Sequence, residues 1–297
     1  VRIADGQKGR LVGASELWTE IDQRRSELFD SAFTKDQFQA ELEMRWAHED
    51  IRNARGESTS MVLSPRAIRG SRTAYTIECA VMPYPLAATM RTMCARYLTK
   101  EGAQKLTAEV SKGQVWAGMA STVGAHLYGI VTDPETNEKA VALGRRAMNL
   151  GSYPGALGPT ASEALEATDA GNVAQGTRSG ARRAQAEEID RTQTNFLKRQ
   201  YSGALGVNFC LSTTAPGSID IAVIHAVDLG YNKYELASRR AATKDAEETP
   251  VLEFLGINEA FDPNTHGPQM PGLEVAVNLV QDYARSLERD SGLVVVR

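Results

Sequence analysis

Polar and apolar residues alternate most regularly between residues 203 and 230. In an extended chain Val207, Phe209 and Leu211 share one face, with Asn208, Cys210 and Ser212 on the other. Beyond Ala215-Pro216-Gly217 the alternation resumes. Ile219, Ile221, Val223, His225, Val227 and Leu229 point one way, and Asp220, Ala222, Ile224, Ala226 and Asp228 the other. Successive strand side chains point to opposite faces, so this period predicts two strands, each with one face to bury. Pro-Gly supplies a fixed φ followed by a residue free to turn, which joins them as a β-hairpin. A hairpin alone is marginal in water, so helices elsewhere must cover it.

Ahead of it the pattern is mostly helical. Residues 1–14 hold three Gly and little periodicity, and read as an extended arm. A helix is expected from Ser15 to Phe33, with Leu17, Trp18, Ile21, Leu28, Phe29 and Ala32 on its apolar face. Thr34-Lys35-Asp36-Gln37 is a capping box, and Phe33 with Phe38 has the spacing of a hydrophobic staple, so a second helix starts at a sharp joint. Residues 61–63 and 72–82 read as strands joined by an exposed, Arg-rich loop over 64–71. Leu86, Met90, Met93 and Tyr97 give helical spacing after Pro83 and Pro85, and a further helix runs to a stop at Gly113. Residues 114–130 are rich in small residues and fit no period. Asp133-Pro134 reads as the start of a helix reaching Leu150.

Residues 151–180 are the strongest break in composition, with Gly151, Gly155, Gly158, Gly171, Gly176, Gly180, Pro154 and Pro159. They read as an excursion between two lobes, holding a short helix opened by Thr160-Ala161-Ser162-Glu163. Helices follow over 181–201 and 232–243. The last helix carries a clear stripe of Leu273, Ala276, Val277, Val280, Ala284 and Leu287. The expected fold is therefore α+β and helix-rich: two helical lobes packed around a small antiparallel sheet, with extended N- and C-terminal arms. The divisions fall at 1–14 (arm), 15–150 (first lobe), 151–180 (excursion), 181–292 (second lobe) and 293–297 (terminal strand).

Composition changes this picture little. The chain has 297 residues, 42% hydrophobic and 24% charged, as in ordinary globular proteins. No apolar run approaches the roughly 20 residues that span a bilayer, and no secretory signal pattern opens it. It begins at Val1 rather than Met, which reads as processing or trimming. Cys79, Cys94 and Cys210 are few and scattered, which fits a reducing compartment, so a cytoplasmic or virion location is expected. Net charge is −4, yet 24 Arg stand against 9 Lys. Several are grouped: Arg66, Arg69 and Arg72; Arg178, Arg182 and Arg183; Arg239 with Arg240. Solvated helix faces explain such groups, and the backbone of RNA or DNA is what they would otherwise bind.

Motifs for chemistry are missing. There is no GxxxxGK[ST], no GxGxxG after a strand, no GxSxG and no metal-ligand spacing, so no cofactor or metal is expected. His225 sits on the apolar face of its strand, with Asp220 and Asp228 on the opposite one, which favours a core histidine over a catalytic base. His126 has Ser121 or Cys94 as conceivable partners. Glu187 and Glu188 are adjacent in a helix and do not face each other. Arg183-Glu187 and Glu187-Arg191 are i,i+4 pairs, so these carboxylates read as surface ion pairs.

A chain with arms, an apolar terminal strand (Leu293, Val294, Val295, Val296), Arg-rich loops and no catalytic constellation reads as a structural protein. The expectation is a subunit that assembles with itself into a viral-type capsid or nucleocapsid by exchanging arms. Trp18-Thr19-Glu20-Ile21-Asp22 resembles the start of encapsulin-type shell proteins, over too short a stretch to assign membership. The alternative is a cytoplasmic α+β enzyme whose site is assembled from distant residues around His225 or His126.

Overall fold

The structure is a computed structural model that describes residues 2–5, 11–54, 61–71, 74–116, 122–150, 153–170, 176–190, 201–211, 219–243 and 246–291. The chain divides into two compact units. One takes residues 1–123, 164–176 and 209–221; the other takes 124–163, 177–208 and 222–297. Both mix helices with a sheet.

In the first unit, β1 (Arg2–Asp5), β2 (Met61–Ser71) and β3 (Ala74–Pro83) form a three-stranded sheet in the order β1-β3-β2. The expected N-terminal arm thus adds a strand parallel to β3 of its own chain, Arg2 opposite Thr76. Helices α1 (Ala14–Leu28), α2 (Lys35–Ala54), α3 (Tyr84–Tyr97) and α4 (Lys100–Val110) accompany the sheet. The capping box at Thr34 forms as the spacing predicts: the Gln37 N–H donates to Thr34 Oγ1 at 3.3 Å and the Thr34 N–H to Gln37 Oε1 at 3.0 Å. Phe33 and Phe38 both pack on Trp18, with ring centroids 5.8 and 5.4 Å away. The first helix stops at Leu28, five residues before the expected Phe33, because residue 29 turns extended and bridges to Leu98. The Arg-rich connection is a strand and not a loop. β2 runs through it, and the register slips between Pro65 and Ala67, so Arg66 is the additional residue of a β-bulge.

Thr99 ties two helices together. Its Oγ1 accepts the Gly102 N–H at 2.9 Å, capping α4, and donates to the Leu28 carbonyl at 3.0 Å, where α1 ends. Thr99→Ala removes both bonds, and a loss of about 1–2 kcal/mol is expected in urea unfolding. A serine at this position should recover most of it.

In the second unit the expected small hairpin is part of a seven-stranded sheet. Its main order is β10 (Val251–Gly256), β5 (Lys139–Arg145), β4 (Val123–Thr132), β9 (Ile219–Asn232), β8 (Tyr201–Leu211). Two short strands join it: β6 (Leu157–Gly158) pairs β5, and β7 (Ala161–Ala164) pairs β4. The two strands of the period-two signal are neighbours, as expected. β9 is covered on both faces, however: residues 221–227 are all buried, and on one face Ile224 and Ala226 pack in the core with the stripe of the last helix. The fold is mixed α+β, and the description of a small sheet between helical lobes is corrected accordingly.

Two expected helices are strands. Residues 139–145 pair with β4 and with β10, Val141 opposite Ile130 and Leu255. Five consecutive residues of β5 are buried, so the sequence shows a continuous apolar run with no period to betray it. Asp133 does not open a helix. It tightens the β4–β5 turn, where Asn137 adopts a left-handed φ of 58°. Thr160 likewise opens no helix: its hydroxyl donates to the Ala142 carbonyl and accepts the Gly129 N–H at 2.8 Å, both on strands. Helix α5 (Ala167–Ala170) belongs to the first unit; α6 (Gly176–Ala184) continues as a π-helical turn, Gln185–Ile189. Helix α7 (Lys233–Arg240) starts at an Asn232–Glu235 capping box. Helix α8 (Leu273–Ser291) buries the expected stripe against Tyr128, Ile130, Leu143, Ile224 and Leu255. Among the described residues no helix is long and apolar enough to cross a membrane.

Candidate functional site

The π-helical turn is where the second unit concentrates its buried charge. Ala181 and Ala184 of α6 are fully buried, and the stripe continues into Gln185, Glu188 and Ile189. A π turn holds an extra residue, and such turns recur at functional sites. Here it aims one carboxyl inward and sets the next, Asp190, just beyond its end.

Glu188 is 4% exposed. One of its oxygens, Oε1, accepts the Ser162 N–H from β7 at 2.7 Å. The other lies 3.9 Å from Arg240 Nη2, in the last turn of α7. Arg240 is also 4% exposed, and its Nη1 donates to the Thr160 carbonyl at 3.0 Å. Burial pushes the Glu188 carboxyl up to about 8, outweighing the downward pull of the Ser162 N–H and of Arg240; Glu248 and Glu163 push it further up. Burial also lowers Arg240, against the pull of Glu188. On both partners desolvation exceeds attraction, as it does when an ion pair is not closed by a direct hydrogen bond. The carboxyl beside the guanidinium therefore holds its proton to higher pH than an ordinary carboxylate does.

Asp190 follows a different course. Its Oδ2 accepts the Tyr231 hydroxyl at 2.9 Å and Arg239 Nη1 at 2.7 Å, and the Arg239 guanidinium lies over the Tyr231 ring, 4.3 Å from its centroid. The bond to Asp190 raises Arg239. The adjacent arginines at the end of α7 therefore serve one acidic residue in the turn and one just beyond it: Arg239 takes Asp190 in a hydrogen-bonded pair, and Arg240 faces Glu188 across a wider gap.

His225 is fully buried. Its Nδ1 lies 2.6 Å from the Tyr201 hydroxyl and 3.0 Å from the Gly203 carbonyl. Burial lowers it to about 4, so the ring is neutral, and among the described residues no carboxylate is hydrogen-bonded to it. It is a core histidine. His126 is buried within electrostatic reach of His225; Ser121, one of its conceivable partners, lies outside the described residues.

The arginine groups fall on different units. Arg66 and Arg69 lie on β2 of the first unit, paired with Glu20 at 3.1 Å and Glu78 at 2.9 Å. Arg178, Arg182 and Arg183 lie on α6 of the second, Arg178 over the Tyr201 ring at 5.3 Å and Arg182 exposed. Arg72 and the terminal Leu293, Val294, Val295 and Val296 lie outside the described residues. Among the described residues no group of three His, Cys, Asp or Glu is placed to hold a metal ion.

No protein-family model matches the chain, and no curated protein matches it. Solved structures do. A NUDIX hydrolase from Alicyclobacillus acidocaldarius matches at 14% identity with a TM-score of 0.39, over 54% of this chain and 91% of that one. An Ap4A hydrolase from C. elegans matches at 11% with 0.32, over 56% and 98%. A mutT/nudix family protein from Listeria innocua matches at 12% with 0.32, over 57% and 96%. At these scores the likeness carries no residue and no substrate across. The expectation of a capsid or virion subunit is nonetheless corrected by it: the chains that match are named for hydrolases and the nudix family, and none of these three is a coat protein.

Glu188 is the residue that helical pairing hid. With Arg183 and Arg191 four residues either side of Glu187, both carboxylates read as surface charges. The signal was a different spacing: Glu188 follows Ala181 and Ala184 on one buried stripe, and a carboxylate on such a stripe is unusual.

Proposed function

We propose that the chain is an enzyme in which Glu188 is the general acid–base group, working beside Arg240. The observation that supports this is the placement of a buried carboxyl 3.9 Å from a guanidinium, with a main-chain N–H on its other oxygen. An acid that loses its proton near neutral pH can give it to a leaving oxygen and recover one from water. The charge left on Glu188 after donation forms where the Ser162 N–H and Arg240 already stand, so little has to reorganise. The alternative centre, His225, has no carboxylate partner among the described residues and is neutral down to about pH 4.

Hydrolysis, the activity for which the matched enzymes are named, is the first reaction to assay, with Ap4A in a panel of phosphate and carboxylate esters. On any substrate that turns over, Glu188→Gln should lower kcat by about 100- to 10,000-fold and remove the limb of the pH–rate profile near 8. A Gln variant that folds and works at the full rate overturns the assignment.

A further inference from the structure

Arg240 offers more than it uses. Among the described residues only Nη1 is hydrogen-bonded, to Thr160. Nε and Nη2, both buried, have no hydrogen-bond partner among the described residues. These two nitrogens form one edge of the guanidinium plane, and their two parallel N–H bonds match the spacing of two oxygens on a carboxylate or phosphate. Buried donors left unmade are costly, and a native protein keeps them where something fills them. Gln185 repeats the pattern on the π-helical turn against which α7 packs: it is 1% exposed, and neither its amide oxygen nor its nitrogen has a hydrogen-bond partner among the described residues.

The nearest acidic group does not fill that edge. Glu188 Oε2 stands 3.9 Å from Nη2, beyond hydrogen-bond distance, and its Oε1 is held by the Ser162 N–H. A buried guanidinium without a bonded anion is an expensive arrangement. We infer that the free edge of Arg240, with the Gln185 amide, is a subsite for an oxyanion, a phosphate or carboxylate group of the substrate. The inference rests on the enzymatic reading above and adds its substrate class: an anionic molecule, clamped bidentately by Arg240 next to the group that exchanges the proton.

The test is binding, not turnover. The probes are inorganic phosphate and acetate, and the readout is the Arg240 Nε–H resonance of the full chain, assigned by its loss in Arg240→Lys. Saturable shifts are expected at millimolar concentrations, the affinity of a small fragment, at roughly 1–10 mM. Arg240→Lys keeps the charge and loses the fork, so its calorimetric affinity should fall at least about tenfold, and Gln185→Leu should weaken it less. A response to phosphate but not acetate assigns the group as phosphoryl, and the reverse as carboxylate. An unmoved Arg240 resonance with both anions overturns the subsite, as does a Lys variant that binds like the parent. Glu188→Gln separates the two ideas. If it binds phosphate but does not turn over, both stand; if it is fully active while Arg240 responds to anion, only the acid–base assignment falls. Lost turnover with no anion response removes only the subsite.

Discussion

Raising the pH from 4.5 to 8 should cost the folded protein up to about 5 kcal/mol through Glu188 alone. In the unfolded chain this carboxyl titrates near its ordinary 4.5, and in the fold near 8. Between these values the folded state holds a proton that the unfolded state has released. The stabilising contribution is therefore complete below 4.5, declines through the window and is gone above 8. Most carboxylates in folded proteins act the other way, because pairing lowers them. Glu188→Gln keeps the shape and removes the proton equilibrium. Urea unfolding at pH 5, 6.5 and 8 should give a difference between variant and parent that grows in the variant's favour as pH rises. A difference that is the same at all three values would show that the carboxyl is ionised in the fold, and the acid–base assignment would fall with it.

Gly102→Ala should destabilise the first unit by about 3 kcal/mol, the opposite of what helix propensity predicts. Alanine in a helix is worth about 1 kcal/mol over glycine. At this position the added Cβ would stand 2.1 Å from the Leu28 carbonyl oxygen and 2.8 Å from the Leu28 carbonyl carbon and Cα. These are backbone atoms with no rotamer to change, and the oxygen already accepts the Thr99 N–H and hydroxyl, both at 3.0 Å. The end of α1 and the start of α4 would have to move apart, which opens a joint formed by Leu28 and Thr99. Urea midpoints with an unchanged m-value measure it. A variant at least as stable as the parent would show that the two helices separate freely.

Three local signals in the sequence held. The Thr34 capping box, the Asn232 start of α7 and the stripe of α8 each depend on residues a few positions apart, and each forms as spaced. What misled were residues whose partners are distant in sequence. Thr160 has the spacing of a helix cap, but its hydroxyl is taken by Gly129 and Ala142 on neighbouring strands. The 139–145 segment is buried on both faces of a sheet, which erases the alternation that marks a strand. At the site, the grouping of Arg239 with Arg240 was visible in the sequence. That they would meet Asp190 and Glu188 was not, because those partners lie some fifty residues earlier and the π-helical turn alters the facing of residues after Ala184.

The chain passes from one unit to the other after residues 123, 163, 176, 208 and 221. Each unit is thus stitched from three separate segments, and the segment that carries α6, the π-helical turn and most of β8 is bounded by crossings at both ends. No single truncation yields either unit free of segments of the other. A gene fragment encoding residues 124–297 holds the whole Glu188–Arg240 half, but it carries residues 164–176 and 209–221 of the other unit with it. Protease nicks at the crossings within a unit should give fragments that stay associated until that unit unfolds.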